Sequence, residues 1–187
     1  VKAFTGWGWN VHVESGAGMA AGFTDDAYVE AGATIVTDAA AAHDADLVLR
    51  VEPPTLDEVA LIPNGAVLAG FLDPYVATDL VQALADRSIT ALAVEAVPRT
   101  TLAQAMDALS SQANIAGYAA VLLAVDQSPK FPSMLVTAAG TIPPARALVL
   151  GVGVAGLQAI ATFRRLGAIV QAYDIRPETR EQVESLC

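Results

Sequence analysis

Apolar residues in the first two-thirds of the chain fall into short runs, separated by segments with helical spacing. Asn10–Ser15 alternates apolar and polar positions and runs into Gly-Ala-Gly, which predicts a strand and a turn. Ala33–Val36, Asp46–Glu52, Gly65–Asp73 and Ile89–Val97 predict further strands, the second of these closed by Pro53–Pro54 and the last by Pro98. Between them, Asp25–Ala31 predicts a helix with Thr24 as its cap, two acids in its first turn and Gly32 at its end. Asp38–Ala45 predicts a short helix, and Tyr75–Arg87 a longer one. Before the first strand, the chain start resembles a helix end followed by a turn at Gly6–Gly8. This βαβα rhythm predicts an α/β fold, a parallel sheet covered by helices.

Arg99–Ala120 predicts a further helix, running on to about Val125. Gln104, Asp107, Ser111 and Asn114 recur along it at three- and four-residue spacing, which places them on one face. Asp107 is the only charge between Leu102 and Ala120. Uncharged hydrogen-bonding groups in so apolar a segment point to a partner that is neither bulk water nor core. Asp126–Met134 reads as a proline-containing loop and Thr137–Ala145 as a turn-rich connector.

Next comes an ordered series of signals. Ala147–Leu150 has strand length, and Gly151, Gly153 and Gly156 follow in G-x-G-x-x-G spacing. Leu157–Gly167 reads as a helix and Ala168–Asp174 as a second strand. Asp174 ends that strand about 20 residues on, where a dinucleotide fold places the acid that meets the adenosine ribose. Gly151 permits the tight turn, Gly153 the approach of a pyrophosphate, and Gly156 close packing of helix on strand. The helix N-terminus offers amides to phosphates. A carboxylate at Asp174 accepts hydrogen bonds from a ribose diol and repels a 2′-phosphate, which favours NAD(H) over NADP(H). Arg176, beyond Ile175, weakens that preference, because a nearby arginine can accommodate the phosphate.

Composition narrows the options. The chain has 187 residues, 54% hydrophobic and 16% charged, with mean hydropathy +0.47, enough apolar material for a core. No run of about 20 unbroken apolar residues is present, so no membrane span is expected. A net charge of −10 argues against nucleic acid. Cys187 is the only cysteine, so no internal disulfide can form, which fits a reducing compartment. No signal peptide is visible, and both ends look like those of a fragment. His12 reads as a strand-surface residue and His43 as a solvated one, with no metal site between them. Trp7 and Trp9 read as local packing or an exposed patch, Asp25–Asp26 as a helix first turn, and Ser110–Ser111 as no hydrolase nucleophile.

Three stretches, Met106–Val121, Thr137–Ala168 and Arg180–Leu186, resemble the NAD(H)-binding α subunit of proton-translocating NAD(P) transhydrogenase, in the alanine dehydrogenase/transhydrogenase superfamily. The resemblance runs from Val1 to Cys187 and is densest from Pro98 onward. It implies a parallel-sheet, Rossmann-like α/β protein of two subdomains, 1–125 and 126–187. The first would lack its first strand, and the second would be incomplete. The family motif is matched by Pro98, Arg99, Ala103, Gln104, Met106, Asp107, Leu109, Ser110 and Ser111. By resemblance, Arg99, Gln104, Asp107 and Ser110 surround the nicotinamide end of NAD(H), with Arg99, Gln104 and Asp107 closest to the chemistry. Asp107 would orient Arg99 or the carboxamide, and Gln104 would sit where NADP(H), carried by a partner subunit, arrives. Gly151, Gly153, Val154, Gly156, Asp174, Ile175 and Arg176 would hold the rest of NAD(H). Leu102 departs from the pattern, being often a second arginine in the family. Alanine dehydrogenase would place a catalytic histidine within the stretch that here reads Gly70–Tyr75, where Asp73 stands instead. Transfer of a hydride between two nicotinamides needs positioning rather than a general base. The resemblance thus implies hydride transfer between NADH and NADP⁺, coupled to proton movement in membrane subunits. It implies a homodimer, peripheral on the cytoplasmic face of a bacterial inner membrane. Alanine dehydrogenase and a non-catalytic NAD-binding fragment are the alternatives.

Overall fold

The computed structural model describes residues 1–185; Cys187 lies outside them. The chain divides into two compact units, one over Val1–Ala103 and one from Gln104 onward. The sequence places the division at 125/126; it falls earlier because the long helix packs on elements of the second unit.

The first unit alternates α1 (Lys2–Gly6), β1 (His12–Glu14), α2 (Asp25–Glu30), β2 (Thr34–Val36), α3 (Ala39–His43), β3 (Leu47–Leu49), α4 (Leu56–Leu61), β4 (Val67–Gly70), α5 (Thr78–Asp86) and β5 (Thr90–Ala93). All its strand pairs are parallel, as the βαβα rhythm predicts, but they form two sheets, β1-β2 and β3-β4-β5. Every strand is shorter than its apolar run. The run after β5, for example, tightens into a 3₁₀ turn over Val94–Ala96. The core gathers on the three-stranded sheet, where Val48, Val59, Ile62, Leu68, Leu72, Leu80, Leu84 and Ile89 are buried together. Gly70 is required there, because a Cβ would fall closer than 3.0 Å to the carbonyl oxygen of Arg50, just beyond β3.

Helix α2 begins as expected, with the Thr24 hydroxyl accepting from Ala27 N. Its Asp25 also reaches back to the turn after β1, accepting from Ser15 Oγ at 2.7 Å and Gly16 N at 2.8 Å. Helix α4 is absent from the sequence expectations. Its signal is a capping box, in which Glu58 N donates to the Thr55 hydroxyl and Thr55 N to the Glu58 carboxylate. The backbone bond from Thr55, and then Arg50 at 3.0 Å, lower the Glu58 carboxyl from 4.5 to about 2.

His43 is not solvated but 4% exposed. Its ring lies 2.6 Å from the Ala39 carbonyl through Nδ1 and 2.8 Å from Arg50 Nη1 through Nε2, and Arg50 continues to Glu58. As Arg50 can only donate, Nε2 is the acceptor and Nδ1 carries the proton. Burial among alanines pulls the ring inward because this chain of partners satisfies it. Phe4 and Trp9 stack at 5.4 Å with Trp7 edge-on, and both indoles remain about half exposed or more.

The second unit holds α6 (Ala108–Gln127), a hairpin of β6 (Leu135–Thr137) and β7 (Gly140–Ile142), then β8 (Arg146–Leu150), α7 (Val154–Arg165), β9 (Ile169–Tyr173) and α8 (Thr179–Ser185). The hairpin is antiparallel and occupies part of the expected connector, because Leu-Val-Thr and Gly-Thr-Ile supply β-branched residues on both sides of a tight turn. The expected continuous helix from Arg99 does not form. A 3₁₀ segment over Thr101–Met106 precedes Asp107, whose side chain caps α6 instead of standing inside it. The expected single stripe is therefore broken: Gln104 and Asp107 precede the helix that carries Ser111 and Asn114.

Helix α6 is, by length and composition alone, long and apolar enough to cross a membrane, with a mean hydropathy of 1.4. The sequence contains no unbroken apolar run there because Ser110, Ser111, Gln112 and Asn114 interrupt it. One side of α6 packs on α7 at very short range. A Cβ at Gly117 would fall closer than 3.0 Å to the Ala155 carbonyl oxygen and carbon.

Three outcomes are expected. Gly117→Ala should destabilise the chain in chemical denaturation by ~1–3 kcal/mol, overpacking outweighing the ~1 kcal/mol helix preference for alanine; a gain in stability would refute the close contact. Thr55→Ala should cost about 1 kcal/mol. Glu58 stabilises the fold fully above its ordinary value of 4.5 and loses that effect as pH falls toward about 2. Glu58→Gln should therefore flatten the stability–pH profile in that window, read by thermal melts.

Candidate functional site

The turn between β8 and α7 is built from the ladder upward. Strands β8 and β9 run parallel in register from Arg146↔Ile169 to Leu150↔Tyr173, and Gly151 N continues the ladder to the Tyr173 carbonyl at 2.8 Å. Gly151 then turns at φ +91°, a left-handed conformation that a side chain resists. A Cβ on Gly156 would fall closer than 3.0 Å to the Gly151 carbonyl oxygen, so the first turn of α7 rests directly on the strand end. At Gly153 the same test meets nothing within 4 Å. The first and third glycines are thus demanded by the fold, whereas the second faces open space. Helix α7 starts at Val154 with Gly153 as its cap and no side chain on its first amides. Those amides have no partner within the helix by geometry.

Asp174 stands at the end of β9, its side chain 7% exposed. Its Oδ2 accepts from Val152 N at 2.6 Å and Arg176 Nη2 at 3.1 Å. Its Oδ1 accepts from Arg176 N at 2.9 Å and Nε at 3.0 Å. The Arg176 side chain and then the Val152 amide hold the carboxyl far below the ordinary carboxylate range, so it is charged throughout the working pH range. Arg176 Nη2 also donates to the Val152 carbonyl at 3.3 Å. Val152 is 2% exposed and is not among the residues expected from the motif. Its signal is its place between the first two glycines, which sets its amide against the strand-end acid. Gly151, Gly153, Val154, Gly156, Asp174 and Arg176 are brought together at this turn, with Ile175 beside them and 85% exposed. A cleft of about 400 Å³ starts at Val154 and follows α7 past Gln158 and Arg165, with Asn114 of α6 on its wall.

The other expected residues divide between the units. Arg99 is exposed in the first, in coil rather than in a helix; Gln104 is exposed in the second, in the 3₁₀ segment. Asp107 and Ser110 are paired. Asp107 accepts from Ser110 N at 2.9 Å and Ser110 Oγ at 2.6 Å, so the two motif residues form the cap of α6. Orienting Ser110 is thus one role of Asp107 that the sequence does not anticipate.

Asp73 occupies a left-handed conformation, φ 47°, just beyond β4. It is held by Glu95, whose Oε1 accepts from Leu72 N at 2.7 Å and also from Asp73 N. Burial pushes the Glu95 carboxyl up, but the amides of Glu95, Asp73 and Leu72 outweigh it and hold it below its ordinary value. Nothing in the spacing of the sequence signals this link between two strand ends.

The family models for alanine dehydrogenase/PNT match this chain in two stretches, the N-terminal domain over residues 1–116 and the C-terminal domain over residues 120–187. The chain is similar to an NAD(P) transhydrogenase subunit alpha protein of Rhodospirillum rubrum, 54% identical over all of this chain and 50% of that protein. It is 30% identical to the alanine dehydrogenase of Bacillus subtilis, over 96% of this chain and 47% of that protein. The solved structure of a Sinorhizobium meliloti transhydrogenase superposes with a TM-score of 0.95 at 48% identity, covering 99% of this chain and 55% of that one. The chain thus spans about half the length of the relatives it matches. With parallel α/β units that match both solved and curated members, it belongs to the alanine dehydrogenase/PNT family.

Proposed function

We propose that this chain belongs to the NAD(H)-binding component of a proton-translocating transhydrogenase. The observation that carries the reading is the charged, nearly buried Asp174 carboxylate beside a glycine turn whose Gly153 faces open space. The residues fit a dinucleotide. Gly153, Val154 and the first-turn amides of α7 receive the pyrophosphate, and Gly151 and Gly156 bring strand and helix close enough for them to do so. Asp174 accepts the adenosine ribose hydroxyls, and its charge disfavours a 2′-phosphate. Arg99, Gln104, Asp107 and Ser110 take the nicotinamide end, with Asp107 fixing the Ser110 hydroxyl. When bound, NAD(H) supplies or accepts the hydride, and these side chains need only position and desolvate. NADP(H) on a partner subunit is the other partner in transfer. Proton movement belongs to membrane subunits, with the component a homodimer on the cytoplasmic face of a bacterial inner membrane. Asp73, rather than a histidine, at the end of β4 favours transhydrogenation over amino-acid oxidation, which must also move protons.

Calorimetric titration of the chain should show NADH bound in preference to NADPH. Asp174→Ala should weaken NADH binding roughly ten- to hundredfold, the worth of hydrogen bonds to a charged group, and narrow the preference. Unchanged NADH binding in that variant would refute the ribose assignment. Pyruvate- and ammonia-dependent oxidation of NADH would favour alanine dehydrogenase instead.

A further inference from the structure

An ionised carboxylate offers about four lone-pair positions for hydrogen bonds. Asp174 has all four engaged: Val152 N and Arg176 Nη2 on Oδ2, Arg176 N and Nε on Oδ1. Each acceptor position of the carboxylate is therefore filled. A ribose diol brings two O–H donors and needs two acceptor positions. Val152 N and Arg176 N are backbone amides fixed by the turn, so their two positions cannot be released without unfolding it. Nε and Nη2 belong to a flexible side chain that is 52% exposed. Its guanidinium also reaches the Val152 carbonyl, which lies between the first two glycines. Arg176 thus covers both the carboxylate and the edge of the glycine turn.

We propose that Arg176 is a specificity-determining latch: it occupies the diol-accepting edge of Asp174, and the adenosine ribose binds by displacing its guanidinium. The inference rests on the assignment of Asp174 to the ribose. The exchange balances, two N–H donors leaving as two O–H donors arrive, and the charge of Asp174 stays satisfied in both states. The displaced guanidinium remains on the same short loop, within reach of whatever the ribose carries at its 2′ position. A hydroxyl gives it little, whereas a 2′-phosphate gives it an anion. The latch therefore lowers affinity for NADH and at the same time softens rejection of NADPH.

The size of the effect follows from the fraction of molecules with the edge open. A half-exposed ion pair holding it closed about four-fifths of the time weakens apparent affinity about fivefold. Calorimetry on the chain with NADH and NADPH, for wild type, Arg176→Ala, Arg176→Gln and Asp174→Ala, tests this. Both Arg176 variants should bind NADH about fivefold tighter and discriminate more strongly against NADPH, with melting curves showing that they remain folded. The Arg176 Nε–H resonance in wild type should shift when NADH saturates the site. NADH binding by the folded Arg176 variants that is equal to or weaker than wild type overturns the latch, as does an Nε–H resonance that NADH leaves in place. If Asp174→Ala weakens NADH binding while the Arg176 variants do not tighten it, only the latch fails. If Asp174→Ala changes nothing, or no variant binds NADH, the ribose assignment fails and the latch with it.

Discussion

Backbone against backbone, with no side chain between, is the contact on which this molecule is built. At Gly70, Gly117 and Gly156 a carbonyl oxygen lies where a Cβ would have to go. In the first unit this lets β4 approach β3 at the edge of the buried cluster. In the second it seats α7 on the end of β8 and α6 on α7. Residues with side chains would force each pair apart, and interiors packed to crystal-like density do not absorb such a shift cheaply. The glycine turn is one consequence of this constraint: the Gly151 carbonyl supports the first turn of α7, whose amides carry no side-chain cap.

The many acids of the chain are used in a consistent way. Its net charge is −10, yet three ion pairs are found among the described residues. Carboxylates instead accept from backbone amides: Asp25 from Gly16, Asp38 from Ala40, Glu58 from Thr55, Glu95 from Leu72 and Asp107 from Ser110. Four of these close a turn or start a helix, where amides have no other partner, and Glu95 joins two strand ends. The acidity that argues against nucleic acid is thus also what punctuates the fold.

Much of this is legible in the sequence. The glycine spacing, the strand before it and the acid after it all stand where the motif requires, because the motif encodes backbone geometry. The Thr24 cap and the alternation of Asn10–Ser15 are legible for the same local reason. The helix over Arg99–Ala120 misleads, because periodicity cannot tell an acid inside a helix from one that caps it, and Asp107 does the latter. His43 misleads because its partner, Arg50, lies beyond the next strand. The Glu95 bridge to Leu72 and Asp73 is invisible, since it joins residues more than 20 apart through backbone amides that have no sequence signature. The roles expected of Arg99 and Gln104 rest on the family resemblance alone, since both are exposed and stand outside regular helix and strand.

The Glu95 bridge has a consequence for how the two kinds of strand end differ. Consecutive amides aimed at one point form a cradle that attracts anions. After β4 the chain makes such a cradle from Leu72 and Asp73 and fills it from within, with an oxygen of its own. After β8 it leaves the amides of the helix start without a side-chain cap. The protein thereby fills one amide cradle from within at β4, while the helix start after β8 carries no side-chain cap.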